Sequence, residues 1–167
     1  MRNRILGIDP SLSSTGWAVI SIEDNRPYLL DHGALKTDSK RPHGERLAYI
    51  RASLDAVFWE YAPVIAIPKE KGFSRHARTT QALYKVHGVI EEMFAYDDGE
   101  VVDIPPTMVK KYITGSGRAS KEDVADAVRQ ALGLREDYEI KTDDETDAMA
   151  VAVAYAIQAG IISEEDG

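Results

Sequence analysis

Short apolar runs separated by turn residues dominate the first 35 positions of the chain. Residues 4–9 form an apolar run that ends on an acid, and residues 17–22 form a second run behind a Ser/Gly-rich turn. Another turn at 24–27 leads to a third run at 28–35. Runs of this length predict strands, and short connections join antiparallel neighbours. The N-terminal part therefore predicts a three-stranded antiparallel meander.

Farther along the chain, apolar positions recur every three or four residues, which is the period of one face of an α-helix. One such stretch spans residues 47–61, and a second is marked by residues 83–93 within a helix expected over 79–96. Between them, residues 64–67 form a short apolar run that predicts a buried strand. Pro68 is expected to end that strand.

The C-terminal half adds one strand and three helices. Residues 101–104 predict a fifth strand, and short helices are expected at 107–113 and 121–132, the latter capped by Ser120. A last helix over 144–159 is rich in Ala and Val, which predicts burial. This order indicates an α/β fold, a mixed five-stranded sheet with helices on both faces. We expect a single domain at 1–160 and an acidic C-terminal tail at 161–167.

Length and composition narrow the class of protein. The 167 residues are 44% apolar and 29% charged, with no cysteine, which excludes disulfides, thiol nucleophiles and Cys-ligated zinc. No apolar run approaches the ~20 residues that span a bilayer. The acid at position 9 comes too early for a secretory leader. We therefore expect a cytoplasmic protein that has no membrane partner.

The net charge of −8 argues at first against nucleic-acid binding, because DNA-binding proteins usually carry a positive footprint. However, residues 134–167 hold ten acids against two bases, so the chain before them is neutral overall. Within it, residues 40–90 carry nine Lys and Arg against four acids, a local excess of five positive charges. Because phosphate binding depends on the local field, the sequence leaves nucleic acid open as a partner.

Four acids stand at the ends of predicted buried elements. Asp9 ends the first strand, Glu70 follows the fourth, and Asp144 and Asp147 are three residues apart, on one face of the last helix. Each has an ordinary structural interpretation: a turn cap for Asp9, a solvated loop acid for Glu70, and an N-cap and first-turn acid for the pair. Loops that follow parallel strands open on the same side of a sheet, which would let the four converge.

Four converging carboxylates repel one another unless a cation neutralises them. Oxygen donors without sulfur suit Mg²⁺ or Mn²⁺. Two such ions about 3.5–4 Å apart bind both the attacking and the leaving oxygens of a phosphodiester. The acids therefore indicate a metal site for phosphodiester hydrolysis.

Five segments in order resemble the RuvC family of Holliday-junction resolvases, over nearly the whole chain. They are GIDPSLSSTG at 7–16, VIAI at 64–67 with EKGF at 70–73, QALYKVHG at 81–88, PPTMVKK at 105–111 with TGSGRASK at 114–121, and DETDAMA at 144–150. The resemblance implies an RNase H-like fold. It also implies a homodimer whose interface is the helix at 79–96, although the apolar residues of that helix could equally pack on the sheet.

The resemblance assigns roles to individual residues. It implies that the four acids bind two Mg²⁺ ions, with Mn²⁺ as a substitute, and that Lys121 lies near the scissile phosphate. Phe73 corresponds to the aromatic that stacks at the junction crossover, with an ordinary core aromatic as the alternative. The chain departs from the family where Pro68 occupies the usual position of the strand-end acid. Aligning on Phe73 assigns that role to Glu70.

Basic residues around these segments are candidates for contacting DNA phosphates, although each could also be a solvated surface charge. The candidates are Lys69, Lys71, Arg75, Arg78, Lys85, Lys110, Lys111 and Arg118. The four histidines (His32, His43, His76 and His87) have no metal-ligand spacing and are interpreted as surface or loop residues.

The resulting hypothesis is a DNA endonuclease that resolves four-way junctions and leaves 5′-phosphate and 3′-hydroxyl ends, acting on branched DNA in a bacterial cell or a phage-infected host. Two alternatives stay open: a junction-binding protein that does not cleave, if Pro68 has disabled the site, and a nuclease for structured RNA. The Asp9 strand also resembles the start of actin-like kinases. Those enzymes need two related domains, however, and this chain supplies one.

Overall fold

The computed structural model describes residues 3–72, 74–97 and 99–163. Five strands form one sheet in the order β3-β2-β1-β4-β5. The strands are β1 (Arg4–Asp9), β2 (Ser14–Glu23), β3 (Arg26–Lys36), β4 (Val64–Glu70) and β5 (Glu100–Ile104). The helices are α1 (His43–Tyr61), α2 (Ala77–Met93), α3 (Pro106–Thr114), α4 (Lys121–Ala131) and α5 (Asp143–Gln158). The predicted mixed five-stranded sheet is confirmed.

The first three strands form the predicted antiparallel meander. The tight turn between β2 and β3 places Asp24 and Asn25 at φ of 49° and 67°. Two consecutive positive φ values match the turn type whose twist fits a two-residue hairpin, and Asp and Asn tolerate this conformation. The remaining pairs, β1 with β4 and β4 with β5, are parallel.

Helices cover both faces of the sheet, as predicted. Side chains alternate along β1, so Ile5 packs in the core on the α5 side while Leu6 and Ile8 pack in the core on the side of α1 and α2. Most of α5 is buried, and its small Ala and Val side chains let it lie close against the strands. The sheet therefore carries α5 on one face, and α1 and α2 on the other.

The structure corrects the predicted end of the fourth strand, because β4 continues through Pro68 to Glu70. The ring of Pro68 removes one backbone donor, but its fixed φ is compatible with extended backbone, and pairing with β5 continues from Pro68↔Val102 to Glu70↔Ile104. The result places Glu70 on the strand itself and not on a loop.

The C-terminal region differs in one detail from the expected boundary at 160. Ile162 is buried beneath α5, two residues past the expected end of the domain. The acidic residues 164–167 of the predicted tail lie outside the described residues. No helix in the described part of the chain is both long and apolar enough to span a bilayer.

Candidate active site

Two strand ends bring the first two acids together. β1 and β4 are parallel neighbours whose pairing runs to Ile8↔Lys69, so Asp9 and Glu70 are the next residues on adjacent strands. Both carboxylates therefore lie at the same edge of the sheet, as the sequence predicted for the ends of parallel strands.

Helix α5 brings the other two acids to this edge because glycines on β1 and β2 let it approach closely. A Cβ at Gly16 would lie 2.0 Å from the backbone oxygen of Asp144, and one at Gly7 would lie 2.3 Å from the backbone oxygen of Ala148. Real Cβ atoms do not make such contacts, so only glycine permits this packing. The first turns of α5, with Asp144 and Asp147, consequently lie against the ends of β1 and β2.

The start of α5 is fixed by a capping box. The Thr142 hydroxyl accepts from the backbone N–H of Glu145, and the Glu145 carboxylate accepts from the backbone N–H of Thr142 at 3.0 Å. Glu145 is buried and also contacts His32 Nδ1 at 2.8 Å. Because Thr142 is the cap, the interpretation of Asp144 as the N-cap is wrong, and Asp144 is not needed for that role.

The acids influence one another strongly. Burial, followed by the negative charges of Glu70, Asp147 and Asp144, raises the pKa of Asp9 to about 9. Burial and the charge of Asp147 raise the pKa of Glu70 to about 7. The pKa of Asp147 is also raised, chiefly by burial and with a contribution from the charge of Asp144, while Lys121 and the neighbouring Asp9 side chain oppose the rise. The structure therefore joins all four predicted acids in one electrostatic cluster.

Lys121 lies beside this cluster at the first position of α4. Its Nζ is 3.1 Å from Asp143 Oδ2, and the ion pair raises the pKa of the lysine. Lys121 and Lys110 line a cavity of about 220 Å³ together with Glu70 and Asp147. Both ammonium groups oppose the rise in the pKa of Glu70. The site thus combines carboxylates with long, positively charged side chains.

The donor chemistry of the cluster fits a hard divalent cation, since all four groups are carboxylates. Asp9 and Glu70 hold their protons at higher pH than ordinary carboxyls, and a bound cation would compete with those protons. In the described part of the chain, no three acidic or histidine side chains are gathered in an arrangement that could already hold a metal ion.

A groove of about 730 Å³ adjoins Asp9 and runs between the starts of α1 and α2. Its lining includes the predicted residues Arg78 and Lys85 together with His43 and Arg46, which sequence analysis did not identify as candidates. His43 Nδ1 accepts from Lys85 Nζ at 2.9 Å.

The sequence did contain a signal for one of the missed residues. Arg46 lies four positions before Ile50 and eight before Leu54, so it shares their stripe and is buried with them. A charged residue on an apolar stripe indicates a buried side chain that needs a hydrogen-bonding partner. Here the Arg46 Nε donates to the Thr37 hydroxyl at 2.9 Å.

The prediction that Lys69 contacts DNA is wrong. Side chains alternate along β4, so Lys69 points away from Glu70 and toward α2, where it is 1% exposed. It contacts His87, Glu91 and Asp103 and cannot reach a phosphate from this position. The prediction that His87 is a surface or loop residue is also wrong, because α2 buries its side chain against Lys69.

The other residues predicted to contact DNA lie outside the cavity and the groove, or outside the described residues. Phe73 lies outside the described residues. Four basic candidates are exposed and line neither the cavity nor the groove, and their role in DNA binding stays a prediction. They are Lys71, Arg75, Lys111 and Arg118.

Comparison with known proteins places the chain in a family. A family model described as crossover junction endodeoxyribonuclease RuvC matches residues 5–155. The RuvC of Prochlorococcus marinus subsp. pastoris is 36% identical over 157 residues, covering 94% of this chain and 98% of the relative. The RuvC of Alkaliphilus metalliredigens is 34% identical over 152 residues, covering 91% and 92%.

Solved structures agree with this placement. Thermus thermophilus RuvC in complex with a Holliday junction substrate has a TM-score of 0.86 at 28% identity, over 96% of both chains. The fowlpox virus resolvase shares the fold, with a TM-score of 0.62 at 14% identity over 93% of this chain. The RNase H-like architecture is thereby confirmed, and the chain belongs to the RuvC family of crossover junction endodeoxyribonucleases.

Proposed function

We propose that this enzyme resolves four-way DNA junctions by metal-dependent hydrolysis, with Asp9, Glu70, Asp144 and Asp147 as the metal ligands. The observation that carries the proposal is the convergence of these four carboxylates, from β1, β4 and α5, in one coupled cluster. Proteins of this family are metal-dependent nucleases. These four acids would hold two Mg²⁺ ions, or Mn²⁺ in their place, which would supply positive charge to the attacking and leaving oxygens of the phosphodiester.

The chain's own residues supply positioning and charge. Asp9 and Glu70 are fixed by their strands, while Asp144 and Asp147 are fixed by the capped start of α5. Lys121 is exposed and lies within reach of the cluster, so it can neutralise the scissile phosphate as negative charge develops. In-line attack by water on that phosphate leaves a 5′-phosphate and a 3′-hydroxyl end.

The groove beside Asp9 offers a path for a DNA strand leading away from the cut. Arg78, Lys85 and Arg46 place positive charge along it, and Asp9 is the sole carboxylate among the described residues that line it. Phosphate contacts of this kind set the register of the protein on the DNA. Phe73 would stack at the crossover. The contact would be extended by the remaining basic candidates, Lys71, Arg75, Lys110, Lys111 and Arg118.

The symmetry of the substrate supports a homodimer. A four-way junction has near two-fold symmetry and is cut on opposing strands, which suits two identical subunits. Helix α2 exposes Tyr84 (49%), and its outer side is a candidate for the contact between subunits. We also propose one domain that covers the expected range 1–160 and extends to the buried Ile162, followed by an acidic tail, and action in the cytoplasm of a bacterial cell or a phage-infected host.

The direct test compares wild-type protein with the Asp144→Asn variant on a synthetic four-way junction with Mg²⁺. We expect wild type to cut the junction and the variant to lose at least about 100-fold in cleavage while it still binds. Asp137→Asn is the matched control, because Asp137 is 76% exposed and pairs with Arg135. The control should cut at the wild-type rate.

Other outcomes identify the alternatives. Binding by both proteins with cleavage by neither would indicate a junction-binding protein that does not cleave. Cutting of RNA hairpins without cutting of DNA junctions would indicate a nuclease for structured RNA. Either result would overturn the proposed function.

A further inference from the structure

A buried cluster of charged side chains lies directly behind Glu70, on the opposite face of β4. The Lys69 ammonium is 1% exposed and has three partners. They are His87 Nδ1 at 2.5 Å, Glu91 Oε1 at 3.2 Å and the carboxylate of Asp103. Lys69 belongs to β4, Asp103 to β5, and the other two to α2. One ammonium group therefore joins three elements of the fold.

The partners of Lys69 match its hydrogen-bonding capacity. An ammonium group has three donors and no acceptor, so His87 Nδ1 must accept, and the imidazole is neutral. Burial lowers the pKa of His87, which favours the same neutral form. The proton then resides on His87 Nε2, a buried atom without a hydrogen-bond partner in the described structure. The imidazole therefore accepts a hydrogen bond from Lys69 at Nδ1, although its Nε2 has no hydrogen-bond partner in the described structure.

Glu70 is the last residue of β4, and the backbone pairing of that strand ends just beyond it, where the N–H of Lys71 donates to the carbonyl oxygen of Ile104 at 2.9 Å. Pro68 contributes no N–H to the sheet, and the pairing of β4 with β1 stops at Ile8↔Lys69. On the other side, β5 is an edge strand of five residues whose last pair is Glu70↔Ile104. Glu70 therefore lies where the sheet is ending on both sides, one residue after the buried ammonium.

We propose that Lys69 is a positioning residue that holds the end of β4 against β5 and α2, and thereby directs Glu70 toward Asp9 and Asp147. This inference rests on the proposed role of Glu70 as a metal ligand. Lys69 touches neither substrate nor metal in this role. Its three contacts fix the residue that immediately precedes Glu70 on β4.

Buried charge clusters can be replaced by apolar residues without loss of stability, whereas removing one partner leaves the others unpaired. This difference separates positioning from simple stabilisation. The single variant is Lys69→Met, and the apolar set is Lys69→Met/His87→Phe/Asp103→Leu. Ile50→Ala is the control for lowered stability, because Ile50 is fully buried on the same side of the sheet and belongs to α1.

The experiment measures melting temperature, junction binding in Ca²⁺, and single-turnover cleavage at saturating protein over a range of Mg²⁺ concentrations. We expect Lys69→Met to bind the junction within about twofold of wild type, and to cleave roughly 10- to 100-fold more slowly with a higher half-maximal Mg²⁺ concentration. The apolar set should recover melting temperature but not cleavage. Ile50→Ala should lose melting temperature but keep its cleavage rate.

Three results would overturn the positioning role: wild-type cleavage by Lys69→Met, recovery of cleavage together with stability in the apolar set, or an equal loss of rate in Ile50→Ala. If Lys69→Met does not fold, the apolar set decides the question. Failure of wild type to cut the junction would instead refute the proposed function, which distinguishes the two failures.

Discussion

At the scale of single residues, the carboxyl groups of Asp9 and Glu70 hold protons far above the ordinary range, with pKa values of about 9 and about 7. A carboxyl whose pKa is raised by folding stabilises the fold while it is protonated, and that contribution is lost as pH rises toward the folded pKa. In EDTA we therefore expect the free energy of unfolding to fall between about pH 4 and about pH 9. At about 1.4 kcal/mol per pKa unit, Glu70 contributes about 3 kcal/mol of this loss. Thermal melts across this pH range measure it.

The Asp9→Asn variant tests how much of this pH-dependent loss of stability comes from Asp9. It removes a buried carboxyl that must ionise, so in EDTA at alkaline pH it should melt at a higher temperature than wild type, with a shallower pH dependence. Asp137→Asn, an exposed change, should follow the wild-type curve. Mg²⁺ should raise the wild-type melting temperature most at alkaline pH. A wild-type melting temperature independent of pH would contradict the prediction.

Individual residues were predictable where position in an element decides their environment. Asp9 at a strand end and the i, i+3 pair Asp144 and Asp147 follow from the period of strand and helix. Lys69 was misjudged because alternation along β4 shows only that it faces away from Glu70. Whether that face meets solvent or α2 depends on packing between segments about twenty residues apart. The local pattern of apolar residues gives no information about such packing.

At the scale of elements, the site depends on how closely α5 lies against β1 and β2. The Gly16→Ala substitution should push α5 away, because its Cβ would lie 2.0 Å from the backbone oxygen of Asp144. Shifts of about 1 Å in catalytic groups cost roughly 100-fold in rate. We expect cleavage to fall by about that factor and stability to fall by about 1–3 kcal/mol, the usual cost of overpacking. Junction cleavage and thermal melts measure the two effects.

Gly44→Ala is the matched control for this substitution. Gly44 lies in the first turn of α1, and a Cβ there would meet nothing within 4 Å. Alanine in a helix favours the folded state by up to about 1 kcal/mol over glycine. The control should therefore melt at or above the wild-type temperature and cleave normally. Unimpaired cleavage by Gly16→Ala would show that the site tolerates movement of α5.

The order of elements followed from hydrophobic period, and the predicted cap Ser120 is confirmed by its capping box with Asp123. Two boundaries did not follow. Pro68 lies inside β4, because pairing with β5 outweighs the loss of one donor. The cap of α5 is Thr142, since reciprocal bonding with Glu145 stabilises it over the neighbouring aspartates. In both cases, interactions that local propensity does not include set the end of the element.

At the scale of the whole molecule, a net charge of −8 coexists with a positively lined groove. The positive excess over residues 40–90 indicated this separation, and the groove draws His43, Arg46, Arg78 and Lys85 from that segment. The sequence could not show that Lys69, from the same segment, is neutralised inside the fold. Charge counted along the chain therefore predicts the sign of the charge along the groove that we propose as the DNA path, but overstates its strength.

This separation of charge predicts how junction binding responds to salt. Each neutralised phosphate releases condensed counterions, so the logarithm of the affinity falls linearly with the logarithm of salt concentration, at a slope of about −0.9 per phosphate. With Ca²⁺ present and cleavage suppressed, the wild-type slope should be steep despite the negative total charge. Arg78→Ala should weaken binding and make the slope shallower by about one for each phosphate that Arg78 neutralises.

Arg26→Ala is the matched control for the salt dependence of Arg78→Ala. Arg26 is exposed at the start of β3, opposite Glu23 in the strand register, and lies at the end of the sheet opposite to the Asp9↔Gly16 pair. Both variants remove one positive charge, so total charge changes equally, and only Arg78 lies in the groove. If net charge governed association, the two variants would weaken binding alike. If the local field of the groove governs it, Arg26→Ala keeps the wild-type slope and Arg78→Ala does not.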